Sequence, residues 1–447
     1  MWVDRELAWT VTLLVGASGL ACTTLAQLLT QRKLASRAQR SPGAALPPIT
    51  ILKPLKGLDE GLYENLASIA RQDYPALEII FGADDAADPA LAVARQVRRD
   101  FPRVPIRIVA RRGSGALNPK IASLLNMIEH ARHDCILISD SNVWVDSGYL
   151  SAIAAELEQP GVGLVSNVIV GRGEASFGAL LENLQLNSFV IAGVCFGDAL
   201  GHPIVVGKSM LLRRSELERL GGLHTMADVM AEDYVLGRRY DAAGLRVVLS
   251  AYPVYTHNRA WDVSRFVARH VRWAQLRRWG GLSTFVAELL MYPVPWLLIA
   301  LALTLSSLSH ADQALARDAH ATALLAVSGV ALKSLLDFVL VWHVRQQRPA
   351  SLALLAAPLR ECTLAALWCV ALVRRTIVWR GNRRRIGPGT CLLPLAAELE
   401  TRARSEAYWG YAKAGAAGAP PPWSGRSGET SPSARSSPAS ARYTRSE

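Results

Sequence analysis

Three groups of polar residues in this chain have the types and spacings that phosphate and proton chemistry need. Acidic side chains follow two short apolar runs: Asp84, Asp85 and Asp88 after LEIIFGA, and Asp140, with Ser141 and Asn142, after CILIS. Carboxylates gathered in this way suit a ligand that brings a divalent cation or donates hydrogen bonds, as a nucleotide ribose or base does. One aspartate at a strand end needs no such ligand, since it can simply cap a helix or shape a turn. Two clusters on neighbouring strands are harder to explain that way. A third acidic pair, Glu232 and Asp233, opens a helical pattern, where a carboxylate also meets the helix dipole. Downstream, WDVSRFVARHVRWAQLRRW carries Arg265, Arg269 and Arg272 on one helical face beside Trp273. Guanidinium forks so arranged can grip a diphosphate. The same helix, with Arg277, Arg278 and Trp279, also suits a surface of anionic lipid.

These groups need a scaffold that brings them together. Short apolar runs at 49–55, 77–85, 106–112, 135–141 and 162–170 read as strands, with a further one at 245–249. Helical patterns at 62–72, 89–100, 120–132 and 147–159 lie between the first five. Such alternation predicts an α/β fold with a mostly parallel sheet covered by helices on both faces. Ligands of such sheets bind beyond the carboxyl ends of the strands, where Lys53, Lys56 and the acidic clusters fall. No GxGxxG follows the first strand and no GxxxxGK[ST] occurs, which argues against a dinucleotide oxidoreductase and a P-loop NTPase.

The chain of 447 residues is 51% hydrophobic and only 19% charged, with a net charge of +12. That balance points to a membrane surface or an anionic ligand rather than to nucleic acid. Residues 7–31 form a run without charge, long enough to cross a bilayer, and Arg32, Lys33, Arg37 and Arg40 after it predict a cytoplasmic flank. Two more apolar blocks, 285–308 and 319–344, frame a loop with a single Arg317; Lys333 and Asp337 sit inside the second at pairing distance on a helix. The last apolar stretch, 351–373, is interrupted by Pro358, Arg360 and Glu361 and has basic flanks on both sides, so a re-entrant or interfacial helix pair is expected there. The tail 413–447, rich in Gly, Ser, Pro, Ala and Arg, is expected to be disordered. The six cysteines are scattered without a CxxC pair and read as reduced thiols.

Taken in order, Lys-Pro-Leu-Lys-Gly (53–57), the strand-end aspartates, Asn-Pro-Lys (118–120), Asp-Ser-Asn (140–142), Gly-Lys-Ser-Met (207–210), Ala-Glu-Asp-Tyr (231–234) and Arg-His-Val-Arg-Trp (269–273) resemble the bacterial ceramide glucosyltransferases. These are membrane-bound inverting enzymes of the GT-A fold, and the likeness covers about residues 49–279, with WRGNRRR at 379–385 also similar. The resemblance implies an anchor at 7–31, a GT-A nucleotide-sugar transferase domain at 48–260, an interfacial RxxRW helix at 261–282 and a C-terminal membrane region at 283–386. It also implies an aspartate triad. The first member falls at Asp88 or Asp85, with spacing favouring Asp88 and leaving Asp85 as a uridine contact; the second is Asp140, and the third, Asp233, is the general base beside Glu232. Lys53, Lys120, Arg269, Arg272 and Trp273 would complete the donor site, and Lys208 would face the acceptor. Asp140 and Asn142 would hold Mg2+ or Mn2+, although Asn142 stands where many relatives have a second aspartate and so offers only a neutral ligand.

The implied reaction moves a hexose, glucose from UDP-glucose, onto the primary hydroxyl of ceramide at the inner (cell) membrane of a multi-pass protein, with the catalytic domain in the cytoplasm. A hopanoid polyol or diacylglycerol is an alternative acceptor. A processive polysaccharide synthase fits less well, because such enzymes usually carry Gln where Arg269 stands and need more crossing helices. A transporter would likewise need more spans. The discriminating observation is whether Asp88, Asp140, Asp233 and Arg272 meet in one cavity.

Overall fold

The computed structural model describes residues 2–36, 46–111, 115–308, 313–379 and 382–393. The tail 413–447 lies outside the described residues, as do Arg37 and Arg40 of the first basic flank, Arg112 and Arg380. The uncharged opening run belongs to one helix, α1 (Trp2–Ala35), long and apolar enough over Glu6–Ala35 to cross a membrane. Lys33 in its last turn pairs with Asp198 at 2.9 Å.

The alternating segment then forms β1 (Ile49–Leu55), α2 (Leu62–Ala70), β2 (Leu77–Ala83), α3 (Ala90–Asp100), β3 (Ile106–Ala110), α4 (Pro119–Ile128), β4 (Cys135–Ser139), α5 (Tyr149–Leu157) and β5 (Val162–Arg172). Successive strand residues face opposite ways and fill two cores. Ile49, Ile51, Ile79, Phe81 and Leu137 pack with α2, α3 and α5. Leu52, Ile80, Ile136 and Ile138 pack with α4 on the other face.

From β5 the chain enters α6 (Phe177–Leu184), a π-helical turn (Gln185–Val190) and α7 (Ile191–Ala199). This stretch is apolar enough for a membrane span, yet most of it is buried within the protein, between the sheet and the membrane helices. β6 (Ser209–Arg213), α8 (Arg214–Arg219), α9 (Glu232–Ala242) and β7 (Arg246–His257) complete a seven-stranded sheet of order β3-β2-β1-β4-β6-β5-β7. β6 runs antiparallel to β4 and β5, so the sheet is mixed, and β7 is longer than the expected 245–249 because it pairs along β5 through two irregularities. With Ser139 opposite Ser209, the residue after β4 faces the residue before β6.

Next come α10 (Val263–Gly280), α11 (Leu282–Ala287), a 3-10 turn (Glu288–Met291), α12 (Pro293–Leu308), α13 (Gln313–Arg345) and α14 (Leu352–Val373). The block expected at 285–308 is bent by 58° at Tyr292, where Pro293 starts a new helix. The expected helix pair at 351–373 is instead one continuous helix. Its polar interruptions face neighbours: Arg360 reaches Asp337 at 2.9 Å, Glu361 accepts from the Val294 amide at 2.8 Å, and Lys333 and Gln27 both donate to Asp337 at 2.8 Å. Charges satisfied side-on in this way do not break a helix. Ala353 and Ala356 at the start of α14 share a cluster with Phe266 of α10, and Trp368 and Ala371 near its end pack with Ala274 of α10 and Phe285. α14 therefore lies along α10 from end to end.

The chain leaves α14 into a small antiparallel sheet, β8 (Thr376–Trp379), β9 (Asn382–Ile386) and β10 (Leu392–Leu393). It straps the segment before α9: the Leu392 amide donates to the Asp228 carbonyl at 2.7 Å and the Met230 amide to the Thr390 carbonyl at 3.0 Å.

Candidate active site

A cavity of about 580 Å³ opens at the carboxyl edge of the sheet, where the parallel-strand rule places ligands. Pro54, Leu55, Lys56 and Asp59 from the end of β1, Asp84 from the end of β2 and Asp140, Ser141 and Asn142 from the end of β4 form one side. Gly207 and Lys208 before β6, Glu232 and Asp233 opening α9, and Trp261, Arg265, Arg269, Arg272 and Trp273 at α10 form the other. Ile169, Val190 and Val206 add an apolar patch, and Trp379 of the strap closes a wall.

Asn118 caps α4, accepting from the Lys120 and Ile121 amides with Pro119 at the first helical position, so the Asn-Pro-Lys motif is a helix start. That start aims Lys120 at three oxygens: Asp140 Oδ1 at 3.0 Å, Glu232 Oε1 at 2.9 Å and the Gly207 carbonyl at 2.8 Å. Lys208 crosses from the adjacent strand to Asp140 Oδ2 at 3.0 Å and Asn142 Oδ1 at 2.6 Å. Asp140 thus lies between two ammonium groups. Burial disfavours its charge, but the two lysines outweigh burial and hold its carboxyl well below the usual carboxylate range. Burial alone would lower Lys120, yet Asp140 and Glu232 raise it above its ordinary value. For Lys208 burial prevails, and its pKa falls.

Asp233 accepts from two backbone amides, Gly207 N to Oδ2 at 2.8 Å and Tyr234 N to Oδ1 at 2.8 Å, which fix its orientation. Burial and then the neighbouring Glu232 carboxylate push its pKa up to about 6, against the opposing pull of Lys120. A carboxylate fixed in place and titrating near neutrality has the properties of a general base.

The arginine face is built by stacking. Arg265 lies over the Trp261 ring at 4.2 Å, and Arg269 lies between Trp261 at 5.1 Å and Trp273 at 4.4 Å. Behind it, fully buried Glu182 of α6 pairs with Arg269 at 2.9 Å and with His270 Nε2 at 2.9 Å. Sequence reasoning passed over Glu182, although a carboxylate inside an apolar run of membrane-span composition is a signal of function. Asp59, which accepts from Ser141 Oγ, was also missed; nothing in its loop sequence marks it.

Several expected residues lie elsewhere. Lys53 is fully buried beneath the site, donating to the Asp140 carbonyl at 2.7 Å, to Ser139 Oγ at 3.1 Å and to the Val143 carbonyl at 3.2 Å, and burial lowers its pKa to about 7. It supports the Asp140 loop and is not part of the cavity lining. Asp85 is exposed and takes its own turn's Ala87 amide at 3.0 Å. Asp88 accepts from the Gly57 amide at 3.0 Å and the Ala90 amide at 2.9 Å, bracing a turn and the start of α3. Neither lines the cavity; at the end of β2 that position belongs to Asp84. Of the four discriminating residues, Asp140, Asp233 and Arg272 share the cavity and Asp88 does not.

Among the described residues, no three His, Cys, Asp or Glu side chains gather as a metal site. Asp140 with Asn142 is an all-oxygen pair containing one carboxylate. That chemistry suits Mg2+ or Mn2+ when phosphate oxygens supply the remaining ligands.

The chain matches Glycosyl transferase family 21 over residues 11–392. It is 25% identical over 361 residues to ceramide glucosyltransferase 3 of Caenorhabditis elegans, covering 78% of this chain and 75% of the relative. A ceramide glucosyltransferase of Pyricularia oryzae is 23% identical over 431 residues, covering 77% and 85%. In fold, the chain aligns with the mannosyltransferase PcManGT from Pyrobaculum calidifontis, solved with GDP-Man and Mn2+, at TM-score 0.53 and 18% identity over 82% of this chain and 99% of that one. The mixed sheet and its helices are thus the expected GT-A arrangement, and the chain is a glycosyltransferase that belongs to Glycosyl transferase family 21.

Proposed function

We propose that this glycosyltransferase moves glucose from UDP-glucose to the primary hydroxyl of a ceramide-like membrane lipid, inverting the anomeric centre. The observation that carries the reading is one cavity in which an amide-oriented Asp233, titrating near 6, stands beside a lysine-caged Asp140 and a tryptophan-stacked arginine face. Asp233 takes the proton of the lipid hydroxyl as its oxygen attacks the anomeric carbon. The bond from that carbon to the diphosphate oxygen breaks, and the electron pair leaves with the nucleotide. Arg269, Arg272 and Lys120 would receive the charge that develops there, joined by Lys208, which this reading assigns to the donor and not, as the sequence suggested, to the acceptor. The turn after β1, with Asp84 opposite, would receive the uracil and ribose in this reading. Asp140 and Asn142 would hold Mg2+ or Mn2+, which when bound neutralises the diphosphate.

A lipid acceptor also accounts for the surroundings. α1, α12 and α13 are the crossing helices of this reading. α14 lies in the interfacial layer beside α10, where a lipid hydroxyl is within reach and the sheet faces the cytoplasm. The test is to incubate the solubilised protein with UDP-sugars and with ceramide, diacylglycerol and hopanoid acceptors, and to determine the product anomer. A β-linked glucosylceramide supports the reading; transfer only to another lipid replaces the acceptor, and no transfer to any lipid defeats it.

A further inference from the structure

Backbone register brings an ammonium group onto the atoms a metal would need. Because β6 is antiparallel to β4 and Ser139 faces Ser209, Lys208 lies directly across from Asp140, whose amide donates to the Lys208 carbonyl at 3.2 Å. The side chain follows: Nζ is 3.0 Å from Asp140 Oδ2 and 2.6 Å from Asn142 Oδ1. A hard divalent cation held by this pair would take those same oxygens. A doubly charged ion and an ammonium on the same oxygens repel each other and compete for their lone pairs. The other Asp140 oxygen is held by Lys120, which is itself fixed by Glu232 and the Gly207 carbonyl. Among the described residues the Lys208 ammonium is held by Asp140 and Asn142, and Lys208 lines the cavity where a diphosphate would enter.

We propose that Lys208 competes with the divalent cation for Asp140 and Asn142, so that the cation gains them only when the donor diphosphate draws the Lys208 ammonium away. This inference rests on the nucleotide-diphosphate reading of the cavity. It makes the two ligands cooperative. A bare divalent ion would have to displace a cation from its carboxylate, whereas the diphosphate offers that ammonium a second anion and adds oxygens to the metal shell. By linkage, the factor by which the nucleotide tightens the metal equals the factor by which the metal tightens the nucleotide.

The experiment is a titration of the full-length protein in detergent with MnCl2, following free Mn2+ by electron paramagnetic resonance, with and without UDP. Wild type should bind Mn2+ at least ~10-fold more tightly with UDP than without. Lys208→Met should bind Mn2+ alone ~10-fold more tightly than wild type, and UDP should tighten it correspondingly less. Lys208→Gln provides a second uncharged variant, with far-ultraviolet circular dichroism and thermal unfolding as the check that each variant is folded. Equal Mn2+ affinity of wild type and both variants without UDP overturns the inference, as does an undiminished UDP effect in the variants. If no Mn2+ binds while UDP binds and glucose is transferred, the competition is refuted and the transferase reading stands. If wild type binds no UDP, that reading falls and the inference falls with it.

Discussion

Asp233 and Asp140 are both aspartates in one cavity, yet their surroundings drive their acidities apart: two ammonium groups keep Asp140 charged, while burial beside Glu232 brings Asp233 to about 6. Their roles follow from that split. Asp233→Asn should reduce turnover by ~10³-fold with UDP affinity retained, measured by labelled-glucose transfer and calorimetry. As the proposed base, Asp233 would work deprotonated, so kcat/KM should fall about tenfold per pH unit below about 6. Lys120 opposes that raised pKa, so Lys120→Met should move the acid limb to higher pH; a limb that stays in place would remove Lys120 from this role. Sequence made Asp140, Asp233 and the arginines legible because their types are unusual at those places. It could not rank Asp84, Asp85 and Asp88, since which of three neighbouring carboxylates turns inward depends on a loop held by the Gly57 amide. Lys53 escaped for a related reason: a lysine ending a buried strand looks identical whether it faces a ligand or a carbonyl.

At the scale of elements, the alternating β/α half was readable because strand and helix periods differ and turns separate them. β6 was not: its five residues, SMLLR, carry no alternation, and an antiparallel insertion has no crossover helix to announce it. Yet β6 is what sets Lys208 across from Asp140. α6 was hidden too, and it carries the partner of Arg269. Glu182→Ala should lower stability by about 3–5 kcal/mol, because it leaves Arg269 and His270 in a buried place without their carboxylate. Thermal unfolding would show this, and Glu182→Gln, which keeps a hydrogen bond to His270, should lose less. A drop no larger than that of a surface substitution would mean Glu182 does not hold the RxxRW helix. The strap β8–β10 shows the same division of labour, with Trp379 in the cavity wall and its last residues bonded to the segment that introduces Glu232.

For the whole molecule, composition located the apolar blocks but not their paths. Both α13 and α14 are long and apolar enough to cross, and the proposed paths separate them by tertiary contacts, with α14 running along α10. In the proposed topology, with α1, α12 and α13 crossing, Asp318 and the catalytic sheet would lie on opposite sides of the membrane. A cysteine introduced at Asp318 should therefore react with an impermeant maleimide on intact cells, whereas one at Asp73 should react only after permeabilisation. The reverse pattern would invert the topology. The proposed arrangement, with α14 along the membrane surface, would also limit what the enzyme can accomplish. In that arrangement three crossings would form no passage, and the lipid acceptor and the glycolipid would share one leaflet. The glycolipid would then be left, head group and all, on the side where its sugar was activated. Its appearance on the far side of the membrane would require a separate protein that turns lipids over, and the rate of that turnover, rather than of sugar transfer, would govern how much of the product reaches the cell exterior.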